Sequence, residues 1–175
     1  MLRKDFYYSI SEVDSEWELK VICDKKHATI LGVGIDCIQR SYLIKIQYQS
    51  VEVFIGLYNE DHGLKPSLVF MDSMELVLIA SDNCVYFLYL NNLQDVRPFF
   101  CDTLVFEILL PQSYPDIIVV ITEIGVECLT STGALLWGFS CDDIVTDYSI
   151  YEHHLEIVTY EGGVYSIALE DGHIL

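Results

Sequence analysis

Phe99-Phe-Cys-Asp-Thr-Leu-Val105 recurs forty residues later as Phe139-Ser-Cys-Asp-Asp-Ile-Val145. In the same way, Leu68-Val69-Phe70 precedes Leu104-Val105-Phe106 by thirty-six residues. Self-similarity at a period of 36 to 40 residues indicates that one supersecondary unit is repeated along the chain, each copy burying its apolar surface against the next.

The repeated unit is made of short strands. Apolar residues come in runs of five to nine, separated by Asp, Asn, Gly, Ser or Pro, and no helical stripe of comparable length competes with them. Each period contains a first strand, a turn, a second strand, a tight turn, a third strand and a polar turn into a fourth. Four short antiparallel strands in about 40 residues are typical of a β-propeller blade. The sequence therefore predicts an all-β protein.

Two segments resemble a known repeat. Leu129-Thr-Ser-Thr-Gly133-Ala-Leu-Leu-Trp137 is similar to the strand, Thr-Gly turn and Trp of the quinoprotein-type propeller repeat, and residues 163–175 resemble the same turn one blade later. The resemblance covers roughly residues 67–175 and implies a propeller fold. The chain is too short for the seven or eight blades of that family, and the Trp occurs in one repeat only. No cofactor-binding residue is carried over, so we expect no cofactor.

The N-terminal third fits the pattern loosely. Residues 28–37, 42–48 and 51–58 are expected to form strands of a further blade, which residues 4–10 and 16–23 would complete or cap. We therefore expect residues 1–175 to form a single propeller-like domain of about four antiparallel blades, either a small closed ring or an open, partial propeller. A β-sandwich or barrel is the alternative, because many short strands do not by themselves distinguish these architectures.

Composition narrows the classes of partner. The chain has 175 residues, 52% of them apolar, and its 27 acidic against 9 basic residues give a net charge of −18. Residues 98–175 contain thirteen acids and no Lys or Arg. Such a field repels phosphate, so we expect neither nucleic acid nor anionic membrane as a partner. No apolar run approaches the ~20 residues of a membrane span, and no signal peptide is apparent, which favours a cytoplasmic location.

Catalytic patterns are sparse. In a strand, the adjacent pair His153-His154 would point to opposite faces, and the chain has neither a glycine-rich phosphate loop nor a Gly-x-Ser-x-Gly motif. The sequence predicts no catalytic residue and no metal site, so we expect a protein that is not an enzyme. In a propeller, however, the tight turns and the connections between blades emerge on one face. This topology predicts an acidic partner-binding face formed by Asp82, Glu123, Glu161, Asp102, Asp142 and Asp143, with Glu60 and Asp61 as additional members.

Three functional hypotheses follow. In charge and size alone, the chain is similar to bacterial immunity proteins, and the leading hypothesis is an immunity protein that covers the active-site cleft of a basic nuclease toxin. The alternative is a non-catalytic propeller scaffold that docks a peptide or another subunit. A hydrolase or lyase is a third possibility, which would require polar residues clustered at the central channel.

Overall fold

A computed structural model describes residues 5–32, 34, 37–93 and 95–175 and consists mainly of β-strands. The chain divides into two compact units, unit 1 (Met1–Pro66) and unit 2 (Ser67–Leu175), and each is described by itself. The assignment of residues 1–175 to one domain stays a prediction.

In chain order the elements are β1 (Phe6–Val13), α1 (Glu16–Lys26), β2 (Thr29–Leu31), β3 (Arg40–Tyr48), β4 (Val51–Asn59), β5 (Ser67–Met71), a 3₁₀ turn (Asp72–Met74), β6 (Leu76–Ser81), β7 (Cys84–Tyr89), β8 (Val96–Phe100), β9 (Val105–Leu109), β10 (Ile117–Thr122), β11 (Gly125–Thr130), β12 (Leu135–Ser140), β13 (Val145–Ile150), β14 (His154–Thr159) and β15 (Val164–Ala168).

Unit 2 is a run of three antiparallel sheets, each a meander of consecutive strands. Blade 1 has the strand order β5-β6-β7-β8, blade 2 the order β9-β10-β11-β12, and blade 3 the order β13-β14-β15. Blade 3 has, in place of a fourth strand, an isolated antiparallel bridge between Ile174 and Ile167 of β15. This architecture confirms the all-β, partial-propeller prediction.

The forty-residue repeat places its residues in equivalent positions. Phe99 pairs with Val85 in blade 1, and Phe139 pairs with Val126 in blade 2. The buried Cys101 donates its backbone N–H to the carbonyl of Asn83 at 2.8 Å, and the buried Cys141 donates in the same way to Ile124 at 2.7 Å. The predicted equivalence of successive sheets is therefore confirmed.

Blade 2 is buried on both faces. On one face Val120 and Leu129 pack with Phe87 of blade 1, and on the other Val119 and Ile121 belong to a core shared with blade 3. Because alternate residues of a strand face opposite sides of the sheet, β10 is apolar from Ile117 to Ile121, and only its last residue, the buried Thr122, is polar.

Unit 1 is not a meander. Its four-stranded sheet has the order β1-β3-β4-β2, and β2 runs parallel to β4. The strand predicted over residues 28–37 is reduced to Thr29–Leu31, and residues 33, 35 and 36 lie outside the described residues, as does residue 4 of the strand predicted over 4–10. The fourth sheet expected from the sequence is present, with a topology that differs from the other three.

The prediction of a strand over residues 16–23 is wrong, because this segment forms the first eight residues of helix α1. The side chain of Ser15 accepts the backbone N–H of Glu18 at 3.1 Å, which caps the N-terminus, and the lysines at 25 and 26 lie in the last turn. Leu19 and Cys23, one helical turn apart, are buried. Of the described helices, none has both the length and the apolar character needed to cross a membrane.

Candidate protein-interaction surface: the acidic loop edge

Turns and connections from all three blades of unit 2 are joined along one edge by backbone hydrogen bonds. Val105 N–H donates to the carbonyl of Asp82 at 2.8 Å, and Glu123 N–H donates to Leu104 at 2.9 Å. One blade later, Val145 N–H donates to Glu123 at 2.8 Å. We call this the acidic loop edge, and its acidic members are Asp82, Asp102, Glu123, Asp142, Asp143 and Glu161.

These six acidic residues differ in exposure and in hydrogen bonding. Asp102, Asp142 and Glu161 are exposed, whereas Asp82, Glu123 and Asp143 are half-buried. The Asp143 carboxylate accepts the backbone N–H of Ile144 at 2.7 Å through Oδ1 and that of Glu161 at 2.6 Å through Oδ2. Asp143 thus joins the turn between β14 and β15 to the connection between blades 2 and 3. Its carboxylate already accepts two hydrogen bonds within the chain.

An apolar pair lies among the exposed carboxylates. Tyr160 is 79% exposed and Ile144 is 45% exposed, and Tyr160 N–H donates to the carbonyl of Ile144 at 2.9 Å. Tyr160 is adjacent to Glu161 in the sequence, whereas Ile144 was not among the residues predicted for this face. Its position directly after two aspartates was the available signal, since β13 itself begins only at Val145.

Glu60 and Asp61 belong to unit 1, and their membership of the acidic partner-binding face stays a prediction. Asp61 Oδ2 lies 2.7 Å from Nε of Arg40, and this contact raises the pKa of Arg40. Glu60 Oε2 lies 3.0 Å from Nε2 of His62. Both carboxylates therefore have basic partners within their own unit.

A half-buried carboxyl lies next to the acidic loop edge. Glu127 on β11 faces the connection that carries Cys101 and Asp102, and burial raises the pKa of its carboxyl group. Its Oε2 atom is buried without a hydrogen-bond partner. Burial also raises the pKa of the nearby Cys84 thiol to about 12, so this thiol is protonated at neutral pH. These groups shape the interior behind the edge rather than its exposed face.

The two members of the adjacent pair His153-His154 contact different aromatic rings. The ring of His153 lies edge-on to Tyr114, and the ring of His154 stacks on Tyr151. Across residues 5–32, 34, 37–93 and 95–175, no three side chains of His, Cys, Asp or Glu are grouped to hold a metal ion.

Comparison with known proteins supports the fold. No protein-family model matches the chain, and no curated protein matches it. The β-propeller structure of HIRA(644-1017) matches with a TM-score of 0.54 and 9% identity over 99% of this chain and 52% of that one. BBS1N in complex with ARL6DN, soaked with mercury, matches with a TM-score of 0.45 and 17% identity over 78% and 48% of the two chains. The structure of S. cerevisiae Dbp5 L327V bound to Nup159, Gle1 H337R, IP6 and ADP matches with a TM-score of 0.44 and 18% identity, over 58% of this chain and 26% of that one. The chain thus spans about half or less of the length of these structures, and the likeness to HIRA extends to the fold alone.

Proposed function

We propose that this protein is a non-catalytic propeller scaffold that docks a basic protein on the acidic loop edge. The observation that supports the proposal is the hydrogen-bonded series of turns and connections, which brings Asp102, Asp142 and Glu161 to the same edge of unit 2 as the exposed Ile144 and Tyr160. No Lys or Arg occurs from residue 98 onward to neutralise these carboxylates.

The two kinds of side chain would contribute differently to binding. Exposed carboxylates accelerate encounter with a basic surface and disfavour acidic competitors, but each exposed ion pair contributes only about 0 to 1 kcal/mol. An exposed aromatic side chain that becomes buried at the centre of an interface contributes more to affinity. We therefore assign steering to the carboxylates and most of the affinity to Tyr160 and Ile144.

Charge reversal tests the proposal. The partner is captured by crosslinking from cells that express the protein, identified, purified and titrated calorimetrically at 50 and 500 mM NaCl. Asp142→Lys with Glu161→Lys should weaken binding at least tenfold, and Tyr160→Ala should weaken it similarly. Asp116→Lys with Glu170→Lys changes the same charge at the other end of the blades and should alter binding less than twofold. A partner that is not basic, or binding indifferent to salt and to the reversal, would contradict the proposal.

A narrower proposal, favoured by the one-signed charge of residues 98–175, is an immunity protein in the cytoplasm that masks a basic nuclease toxin. The same experiment separates it from the general scaffold. An immunity protein requires that the captured partner cleave RNA or DNA and that the complex lose this activity. A basic partner without nuclease activity would leave the scaffold proposal standing and exclude the toxin.

A further inference from the structure

A cleft opens at the opposite end of the blades from the acidic loop edge. It lies between the turn that follows β9 and the turn that follows β13, the first turns of blades 2 and 3. Its volume is about 560 Å³, within the range of about 300 to 1,000 Å³ common for ligand sites. Leu110, Pro111 and Gln112 line one wall, and Ile150, Tyr151 and Glu152 line the other. We call it the blade-end cleft.

Both walls are held in place without a ligand. Tyr151 N–H donates to the carbonyl of His154 at 2.8 Å, and the Tyr151 ring stacks on the His154 ring with centroids 4.5 Å apart and planes 12° apart. On the other wall, Tyr114 N–H donates to the carbonyl of Pro111 at 3.2 Å. The Tyr114 hydroxyl lies 3.4 Å from Nδ1 of His153, which joins the two turns. A site fixed in this way loses little conformational entropy on binding.

The lining indicates the chemistry of the ligand. Tyr151 is 49% exposed and Ile150 is 39% exposed, so an aromatic face and an aliphatic surface lie open side by side. Glu152 adds an exposed carboxylate whose Oε1 lies 3.8 Å from Nε2 of the similarly exposed His153, and blades 2 and 3 contain no Lys or Arg that could compete for it. A planar cation on an aliphatic stem matches this combination, because a guanidinium stacks on aromatic rings and its methylene groups pack on apolar side chains.

We propose that the blade-end cleft binds the side chain of an arginine on the surface of a partner protein. The guanidinium lies over Tyr151 and pairs with Glu152, and the methylene stem contacts Ile150 and Leu110. This site is separate from the acidic loop edge and does not depend on the function proposed above for that edge.

The test uses three small probes on the full chain: N-acetyl-arginine amide, its neutral isostere N-acetyl-citrulline amide, and N-acetyl-lysine amide. Binding is followed by chemical-shift changes in two-dimensional NMR spectra. We expect the arginine probe to bind with a dissociation constant on the order of 5 mM, as suits one solvated ion pair and one aromatic contact. The shifts should centre on residues 110–113 and 150–152, and the citrulline and lysine probes should bind at least threefold more weakly.

Variants assign the contacts. Glu152→Gln and Tyr151→Leu should each weaken the arginine probe about threefold or more, whereas Tyr151→Phe keeps the ring and should retain binding. Asp147→Asn removes one exposed charge outside the cleft lining and serves as the matched control, with binding of the arginine probe unchanged. The spectrum of each variant also reports whether it is folded. Equal binding of citrulline or lysine, shifts centred on the acidic loop edge, or no binding by 30 mM would each overturn the proposal.

Discussion

At the scale of single residues, Glu127 is a carboxyl group whose ionised form is disfavoured by its position. Its carboxyl is partly buried between blades 1 and 2, Oε2 has no hydrogen-bond partner, and Asp102 lies close by. Burial raises its pKa above that of the unfolded chain, although contact with the Cys101 thiol works in the opposite direction. The protonated form therefore favours the folded state, and ionisation opposes it.

Replacing Glu127 with Gln should stabilise the protein in a pH-dependent way. Because the folded pKa lies above the unfolded one, the wild type loses stability as pH rises from the unfolded to the folded value. Glu127→Gln avoids this loss. Its free energy of unfolding should exceed that of the wild type by on the order of 1 kcal/mol at pH 7 and should equal it at pH 4. Urea unfolding at both pH values measures the difference. The exposed Glu170→Gln changes the net charge equally, and a similar gain there would refute the assignment to burial.

At the scale of elements, the fourth strand of blade 2 secures the end of blade 3. Trp137 on β12 donates its Nε1–H to the carbonyl of Leu169 at 3.1 Å, and its half-buried ring lies against Gly172. A Cβ at Gly172 would stand 2.7 Å from the ring, and the residue has φ of +76°, so glycine is required there on two grounds.

Removing the Trp137 side chain should loosen this contact between blades. We expect Trp137→Ala to lower the free energy of unfolding by about 3 kcal/mol, the lower end of the range for a core aromatic, because the ring is only half-buried. Trp17→Ala is the matched control, since that side chain on α1 is 73% exposed and should cost less than about 0.5 kcal/mol. Urea unfolding followed by circular dichroism compares them, and equal losses would show that Trp137 is not an anchor.

At the scale of the whole molecule, charge is unevenly distributed between the two units. Unit 2 has seventeen acidic residues against the single Arg97, a net charge of −16, whereas unit 1 carries −2. Like charges held close together in a folded chain repel one another, and this repulsion is screened by salt. The net negative charge of unit 2, which we propose attracts a basic partner, therefore lowers the stability of the unbound protein.

Salt should stabilise the protein at neutral pH. Raising NaCl from 20 to 200 mM at pH 7 is expected to increase the free energy of unfolding by about 1 kcal/mol, because the screening length falls from about 20 Å to below 10 Å. The control is the same comparison near the isoelectric point of about 4.3, where the net repulsion vanishes. Stability at pH 7 that is unchanged or reduced by salt would contradict this account.

Much of the strand pattern and the position of the acidic edge were predictable from local order. Phe99 and Phe139 occupy equivalent strands because a period of about 40 residues encodes the same succession of strands and turns. Once the strands alternate in direction, Asp102, Asp142 and Glu161 must emerge at one end. Helix α1 was missed because Trp17, Leu19 and Val21 alternate with the charged Glu18 and Lys20 as in a strand. Ser15, followed three residues later by Glu18, was nevertheless a capping signal.

Other features depend on contacts between residues distant in the sequence. The parallel pairing of β2 with β4 and the cleft beside Tyr151 have no local signature. Asp143 is the clearest case: its neighbour Asp142 has the same chemistry and is exposed, but Asp143 holds the backbone of Glu161, eighteen residues away. A repeat specifies where strands and turns occur, whereas the tertiary structure decides which of two adjacent carboxylates faces solvent, because only folding brings a backbone donor to one of them.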